Sequence, residues 1–397
     1  MTSGEILVVA GEASGDLLAA DLLRALAARR PALRAFGMGG RHLVQAGLEQ
    51  LFDAQELSVV GITEVLPRLP RIWRVFHALL DAARRRRPQA ALLVDVPDFN
   101  LRLARHLHRE GIPVAFYVSP TVWAWRRGRV RAIARDVDRL LCILPFEEEF
   151  YRPYRVRAVY VGNPVAARLP APAEPAVFRR ALGLDTGRPT LAVLPGSRRS
   201  ELKRCLPPLV EGAALLAGEH PGLQIAVPLA PGVDGAAVEA AFRARNLEAL
   251  LVPGRAPEVV GAADVALVTS GTAALEAGLM LRPLVVVYRV SWLSWLVARA
   301  LVRVSFVSLV NLLAGRRVVP ELLQGAFTPR AVAAEAARLF MDGPDRRAMV
   351  EELSRVRELL GRPDASARAA EEVLALIDER SAAPAEARVL RGAPSAR

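Results

Sequence analysis

Apolar positions along this chain follow two rhythms, which alternate. Short unbroken apolar runs at residues 6–10, 90–94, 113–118 and 139–143 are too brief for helices and read as strands. Between them apolar residues recur every three or four positions, as in Leu17, Leu18, Leu22, Leu23 and Leu26, which predicts a helix after the turn Gly11-Glu12-Ala13-Ser14-Gly15-Asp16. A second series has strands at 190–194, 224–227, 250–252, 265–268 and 284–287. Strand and helix in alternation imply a parallel sheet covered on both faces. The rhythm breaks at Leu169-Pro170-Ala171-Pro172-Ala173-Glu174-Pro175, which reads as a linker. The expected fold is therefore α/β, with two doubly wound Rossmann-like domains facing each other across a cleft. Residues 1–168 form the first domain, 169–188 the linker and 189–360 the second domain. A C-terminal helix at 361–380 is expected to pack back on the first domain, ahead of a disordered Ala-, Pro- and Arg-rich tail at 381–397.

Composition narrows the class. With 397 residues, 52% hydrophobic and 24% charged, the chain can bury a large core and is neither a disordered tail nor a disulfide-stapled module. Cys142 and Cys205 lie far apart and no histidine stands at ligand spacing, which excludes a disulfide framework or zinc module and fits a reducing compartment. The net charge is +12, yet Lys203 is the single lysine among 53 basic residues. That bias fits a GC-rich genome better than a nucleic-acid footprint, while the surplus itself favours phosphates or acidic lipid. The first residues lack a basic stretch and the apolar run stops at Gly11, so neither a signal peptide nor an anchor is expected.

Ligands of open parallel sheets bind beyond the carboxyl ends of the strands, so the turns there are where chemistry is sought. The first turn, with Gly11, Glu12, Ser14 and Gly15, resembles a phosphate-binding turn but lacks G-x-G-x-x-G spacing; its glycines equally suit a tight strand-to-helix turn. In Leu194-Pro195-Gly196-Ser197-Arg198-Arg199-Ser200-Glu201, Gly196 allows close backbone approach, Ser197 can donate, and Arg198 offers a planar fork suited to a diphosphate. The structural alternative is a helix start capped by Ser197 or Ser200. In Thr269-Ser270-Gly271-Thr272, a helix opens whose free N–H groups form an anion site, with Glu276 one turn in and able to accept from ribose hydroxyls. A merely well-packed helix start is the alternative there. Asp98, in Val96-Pro97-Asp98-Phe99-Asn100, can serve as a general base or as a helix N-cap.

Two stretches look membrane-directed. Ile72, Phe76, Leu79, Leu80 and Ala83 recur at helical spacing beside Arg71, Arg74 and Arg84 to Arg87, the pattern of a basic amphipathic helix or of a core-facing helix with a solvated arginine edge. Residues 292–313 are long and apolar, but Arg299 and Arg303 share a face, so the stretch should be buried or interfacial and should not span. The five histidines form no ligand pattern, and neither a G-x-S-x-G elbow nor a metal-holding D-x-D occurs, so no metal and no cofactor are expected. Phosphate chemistry would then rest on arginine and helix dipoles.

These motifs together resemble the lipid-A-disaccharide synthases, glycosyltransferases of the GT-B architecture. The similar stretches are AGEASGD (10–16), GMGG (37–40), SVVGITEVLP (58–67), VPDFN (96–100), SPTVWAW (119–125), VGNP (161–164), LPGSRRSE (194–201), TSGTAALEAG (269–278) and SLVNLLAGRRVVPELLQ (308–324), in family order. The resemblance implies transfer of diacylglucosamine from UDP to the 6-hydroxyl of diacylglucosamine 1-phosphate, giving a β-1,6-linked disaccharide and UDP. It assigns Ser197, Arg198, Ser270, Gly271, Thr272 and Glu276, with Asn311 and Gln324, to the UDP-sugar, and Asp98 to the base. It also implies that a region including Val59, Val60, Ile62, Leu66, Leu69, Ile72, Trp73, Phe76 and Leu80 dips into the cytoplasmic face of the bacterial inner membrane to collect acyl chains. The implied partners are thus the UDP-sugar donor, the lipid acceptor and the membrane surface, with no nucleic acid; a homodimer is admitted without being required. The alternatives are another GT-B transferase on a lipid-linked sugar, a UDP-sugar epimerase, which would have no use for a membrane helix, and a non-catalytic basic protein that binds membrane or nucleic acid.

Overall fold

The structure, a computed structural model, describes residues 4–56, 69–125, 127–301, 304–361 and 364–382. The chain divides into two compact units, residues 1–167 with 362–397, and residues 168–361. In the first unit the strands are β1 (Glu5–Ala10), β2 (Arg34–Gly39), β3 (Leu48–Asp53), β4 (Ala90–Val94), β5 (Val114–Tyr117), β6 (Arg139–Cys142) and β7 (Ala158–Tyr160). They form one parallel sheet in the order β3-β2-β1-β4-β5-β6-β7. The second unit has β8 (Thr190–Leu194), β9 (Gln224–Leu229), β10 (Ala249–Pro253), β11 (Val265–Thr269), β12 (Leu284–Tyr288) and β13 (Glu321–Leu323), parallel in the order β10-β9-β8-β11-β12-β13. Each sheet reverses its order beside its first strand, β1/β4 and β8/β11, and such switch points open the crevice where ligands bind.

Period-two alternation explains why both faces of the first sheet are buried. Leu7 and Val9 face a core made with helices Leu69–Arg86 and Pro97–Arg109, whereas Ile6, Val8 and Ala10 face helix Ala13–Arg29 and the C-terminal helix Ala365–Ala382. That last helix buries Ala369, Ala370, Val373, Leu376 and Ile377 in the first unit. Ion pairs Arg29–Glu371 (2.9 Å), Arg30–Asp378 (2.7 Å), Arg139–Glu379 (2.6 Å) and Arg380–Asp138 (2.9 Å) line it.

Several boundaries differ from those expected of the sequence. The C-terminal helix continues through Ser381, whose hydroxyl donates to the Ile377 carbonyl at 2.9 Å, and the rest of the expected tail lies outside the described residues. The stretch read as a linker contains helix Pro175–Leu182, tied into the second unit by Arg179, which donates to the carbonyls of Ala262 (2.9 Å) and Thr186 (3.0 Å) and to Asp264 (2.7 Å). A proline at its first turn starts this helix without a capping side chain, and its eight residues, with Val177, Phe178, Ala181 and Leu182 at helical spacing, directly follow the proline-rich run that reads as linker. Strands β2, β3, β7 and β13 were not expected: β7 and β13 have three residues each, and β2 is interrupted by Gly37. At Gly37, φ is +143° and an added Cβ would lie 2.1 Å from the Val8 carbonyl oxygen, so only glycine lets β2 lie this close to β1.

Candidate functional site

In the second unit, register aligns the turns. Leu194 of β8 pairs with Val268 of β11, Thr269 with Val287 of β12, and Tyr288 with Leu323 of β13. The turn 195–198, the turn 270–272, Tyr288–Arg289 and Gln324 therefore all leave the same edge of one sheet.

Gly196 has φ +109°, and a Cβ there would meet Glu201 at 2.7 Å. Glu201 reaches back to accept from the N–H groups of Ser197 (3.1 Å) and Arg198 (3.2 Å), so neither Ser197 nor Ser200 caps helix Arg199–Glu219. The capping alternative thus passes to a carboxylate, as in a capping box, and leaves both hydroxyls exposed. Arg198 stands at the N-cap, two-thirds exposed, with one guanidinium nitrogen 3.0 Å from Glu201. Next to it, Gly271 (φ +153°) opens helix Thr272–Leu279, Thr272 is exposed, and the Ser270 hydroxyl donates weakly to the Val307 carbonyl at 3.4 Å. Glu276 is half-buried. Burial alone raises its pKa, since no cation or donor faces it among the described residues.

Asn311 corrects an expectation. It is fully buried, its amide nitrogen donates to the Val319 carbonyl and Glu321 (both 2.9 Å), and its oxygen accepts from Val318 N (2.7 Å) and Val319 N (2.9 Å). Every donor and both acceptor sites are used, so Asn311 shapes the loop before β13 and has nothing left for a ligand. Gln324 differs: its backbone is left-handed (φ +51°), and its amide nitrogen is buried without a partner. Arg289 holds that conformation, donating to the Gln324 carbonyl (3.2 Å) and to the Phe327 carbonyl. Arg289 and Tyr288 escaped the sequence reading, although both follow an expected strand, where the carboxyl-end rule directs attention. Burial raises the Tyr288 hydroxyl pKa, with Arg198 and Glu201 close enough to act on it.

In the first unit the switch point lies where Ala10 pairs with Val94, and Val94 with Tyr117. The turn after β1 is shorter than expected: helix Ala13–Arg29 begins at once, so Ser14 and Gly15 lie in its first turn and only Gly11 and Glu12 precede it. Gly15 packs on Val94 and Asp95, where a Cβ would find ordinary contacts of 3.7–3.9 Å. Asp16 is structural, its carboxylate accepting from the N–H groups of Gly40 (2.6 Å), His42 (3.0 Å) and Leu43 (3.2 Å).

After β4, Asp95 (φ +52°) and Val96 (φ +44°) are successive left-handed residues, a costly geometry, most of all for β-branched valine. The buried Asn100 amide sustains it by donating to the carbonyls of Val94 (3.1 Å) and Asp95 (2.8 Å). Burial, reinforced by the Glu12 charge, raises the Asp95 pKa. Val96 is the N-cap of helix Pro97–Arg109, so Asp98 lies inside the first turn and is not the N-cap; its carboxylate is 67% exposed and pairs with Arg129.

The segment that brings Arg129 to this point leaves β5 and is anchored below. Trp123 Nε1 donates to Glu147 at 3.0 Å, and the Ser119 and Tyr151 hydroxyls are 3.1 Å apart. Burial pushes the Glu147 pKa up to about 7 against the pull of its donors, Trp123 and the N–H groups of Leu144 and Ile143.

The expected membrane face is also corrected. On helix Leu69–Arg86, Leu79, Leu80 and Ala83 are buried in the core, and Ile72 and Phe76 pack against it, Phe76 edge-on to Phe99 at 5.5 Å. The apolar stripe faces inward because β4 and helix Pro97–Arg109 offer a dry surface; Leu69 and Trp73 remain exposed at its start. The arginine run is largely paired, Arg84 with Glu110 and Arg86 with Glu5 and Glu49. Val59, Val60, Ile62 and Leu66 lie outside the described residues. Within 292–313, helix Trp292–Leu301 exposes Trp292, Leu296 and Leu301 and ends well before helix Leu309–Ala314. No described helix is long and apolar enough to cross a membrane.

A family model described as lipid-A-disaccharide synthetase matches residues 6–376. A lipid-A-disaccharide synthase of Myxococcus xanthus is 58% identical over 372 residues, covering 94% of this chain and 97% of that one. Among solved structures, a UDP-GlcNAc 2-epimerase from Neisseria meningitidis bound to UDP-GlcNAc has a TM-score of 0.64 at 11% identity, covering 94% of this chain and all of that one. The calicheamicin glycosyltransferase CalG4 has a TM-score of 0.61 at 18% identity, covering 97% and 100%. At such identities the likeness is one of fold, shared by transferases and epimerases.

Proposed function

Because the chain belongs to the lipid-A-disaccharide synthase family, we propose that its second unit holds the UDP-sugar and its first unit the lipid acceptor. The enzyme is a glycosyltransferase that joins the diacylglucosamine of a UDP donor to the 6-hydroxyl of diacylglucosamine 1-phosphate, releasing UDP. The observation that carries the division of labour is the shared sheet edge: Ser197, Arg198, Ser270, Gly271, Thr272 and Gln324 leave it together, with Glu276 one turn into the helix that Gly271 opens. Arg198 and the opening of helix Thr272–Leu279 take the diphosphate, and Glu276 accepts from the ribose. On the first unit, Gly11, Glu12, Ser14 and Gly15 flank the acceptor, and Asp98 takes the proton of its hydroxyl. UDP release that requires both lipid substrates tests the reading; release without acceptor, or an epimerised UDP-sugar as sole product, refutes it.

Among the described residues no group of three or more His, Cys, Asp or Glu could hold a metal ion. Turnover is therefore expected to survive EDTA, the departing diphosphate being stabilised by Arg198 and the helix opening. Loss of turnover in EDTA, with rescue by a divalent cation, would refute this.

The enzyme works at the cytoplasmic face of the inner membrane, where its lipid substrates reside. Exposed Leu69 and Trp73 on one unit, exposed Trp292 and Leu296 on the other, and a net charge of +12 support contact with an anionic surface. Binding to anionic vesicles is expected to weaken strongly with salt, as the screening length falls from about 30 Å at 0.01 M to about 3 Å at 1 M. Co-sedimentation that ignores salt, or that never occurs, would contradict it.

A further inference from the structure

Arg129 pairs with Asp98, and it is not a loose surface side chain. Its own side chain is 23% exposed, against 67% for the carboxylate it pairs with. The segment that delivers it is fixed at one end by the Trp123–Glu147 hydrogen bond and at the other by Val130 and Ile133, buried at the start of the next helix. An ion pair with so exposed a carboxylate adds little stability. The backbone nevertheless brings the two residues together from positions 31 apart, which suggests a use in binding.

The acceptor has two polar features to be recognised at its reacting edge, the 6-hydroxyl and the 1-phosphate. The carbon bearing C6 and the anomeric carbon are both bonded to the ring oxygen, so these groups flank the same edge of the sugar. A side chain that holds the phosphate must then be a near neighbour of the one that takes the hydroxyl proton. We propose that Arg129 is the binding residue for the 1-phosphate of the acceptor, exchanging its contact with the Asp98 carboxylate for the phosphate when the acceptor arrives. The guanidinium fork matches two phosphate oxygens at once, and a phosphate carries more charge than the carboxylate it displaces. This rests on the reading of the Asp98 turn as the acceptor site.

The test uses the full chain, a UDP-sugar donor, and two acceptors, diacylglucosamine 1-phosphate and the same lipid without its phosphate. The parent is expected to prefer the phosphorylated acceptor in kcat/KM, and Arg129→Gln to reduce that preference about 10- to 100-fold, chiefly through KM. Arg129→Lys, which keeps the charge and loses the fork, should retain part of it. An unchanged preference in Arg129→Gln, equal losses with both acceptors, or a parent indifferent to the phosphate would each overturn the proposal. If Arg129→Gln fails to fold, Arg129→Lys decides: a preference equal to that of the parent overturns it. Asp98→Asn in the same assay separates the two readings, since full activity there removes Asp98 as base while the acceptor preference of Arg129→Gln still decides the phosphate contact.

Discussion

Arg198→Ala is expected to lower kcat/KM for the UDP-sugar by about 10- to 100-fold, because a hydrogen bond to a charged group contributes about 1.5–3 kcal/mol. In the structure Arg198 is two-thirds exposed and pairs with Glu201 at 3.0 Å. An exposed pair of this kind is worth about 0–1 kcal/mol, so exchanging it for a diphosphate costs little. Stability should therefore barely change, and the loss should appear as weakened UDP affinity. Arg198→Lys should recover only part, since an ammonium supplies charge without the planar fork. Glu201→Gln provides a control: the Ser197 and Arg198 N–H groups keep an acceptor while the ion pair is lost, so the turn should survive. Parent-like turnover in both Arg198 variants, with UDP affinity unaltered, would move the diphosphate away from this turn.

Much of this arrangement is legible in the amino-acid sequence alone, and the reason is the sheet. Parallel strands buried on both faces are continuous apolar runs, so β1, β4, β8, β11 and β12 stand out, and the rule that ligands gather beyond their carboxyl ends points to the turns at Gly196, Gly271 and Asp98. What escapes depends on partners remote in the chain. Asp16 caps a helix start 24 to 27 residues away, Arg129 reaches Asp98 across 31, and Arg289 reaches Gln324 across 35. No local pattern encodes such pairings. Asn311 shows the same blindness from the other side, because a motif position cannot reveal that all its hydrogen-bonding capacity is spent on Val318, Val319, Glu321 and the fold itself. Periodicity likewise finds the apolar stripe of helix Leu69–Arg86 but cannot say whether core or lipid covers it. The core covers most of it, and only Leu69 and Trp73 stay exposed.

Asp98→Asn is expected to have the larger effect, a fall in kcat of about 100- to 10,000-fold, the usual contribution of a general base. Going from an α-linked UDP donor to a β-linked product inverts the anomeric centre, so one in-line displacement suffices. The acceptor oxygen forms its bond to the anomeric carbon, the bond from that carbon to the diphosphate breaks with its electron pair leaving on UDP, and in the role proposed for it Asp98 takes the hydroxyl proton. A primary alcohol is a poor nucleophile at neutral pH, so removing the carboxylate strikes the chemical step itself. The position of Asp98 makes this experiment clean. Val96 occupies the N-cap, and the Asp98 carboxylate lies exposed in the first helical turn, where a negative charge contributes about 0.3–1 kcal/mol to the helix. Asparagine keeps the size and removes that charge, so the melting temperature should fall by a few degrees at most and UDP affinity, which we assign to the other unit, should hold. Turnover close to that of the parent would mean that another group takes the proton. In that case Glu12 and Asp95 are the next carboxylates to replace, since both stand at the same switch point and burial, reinforced by Glu12, already raises the Asp95 pKa.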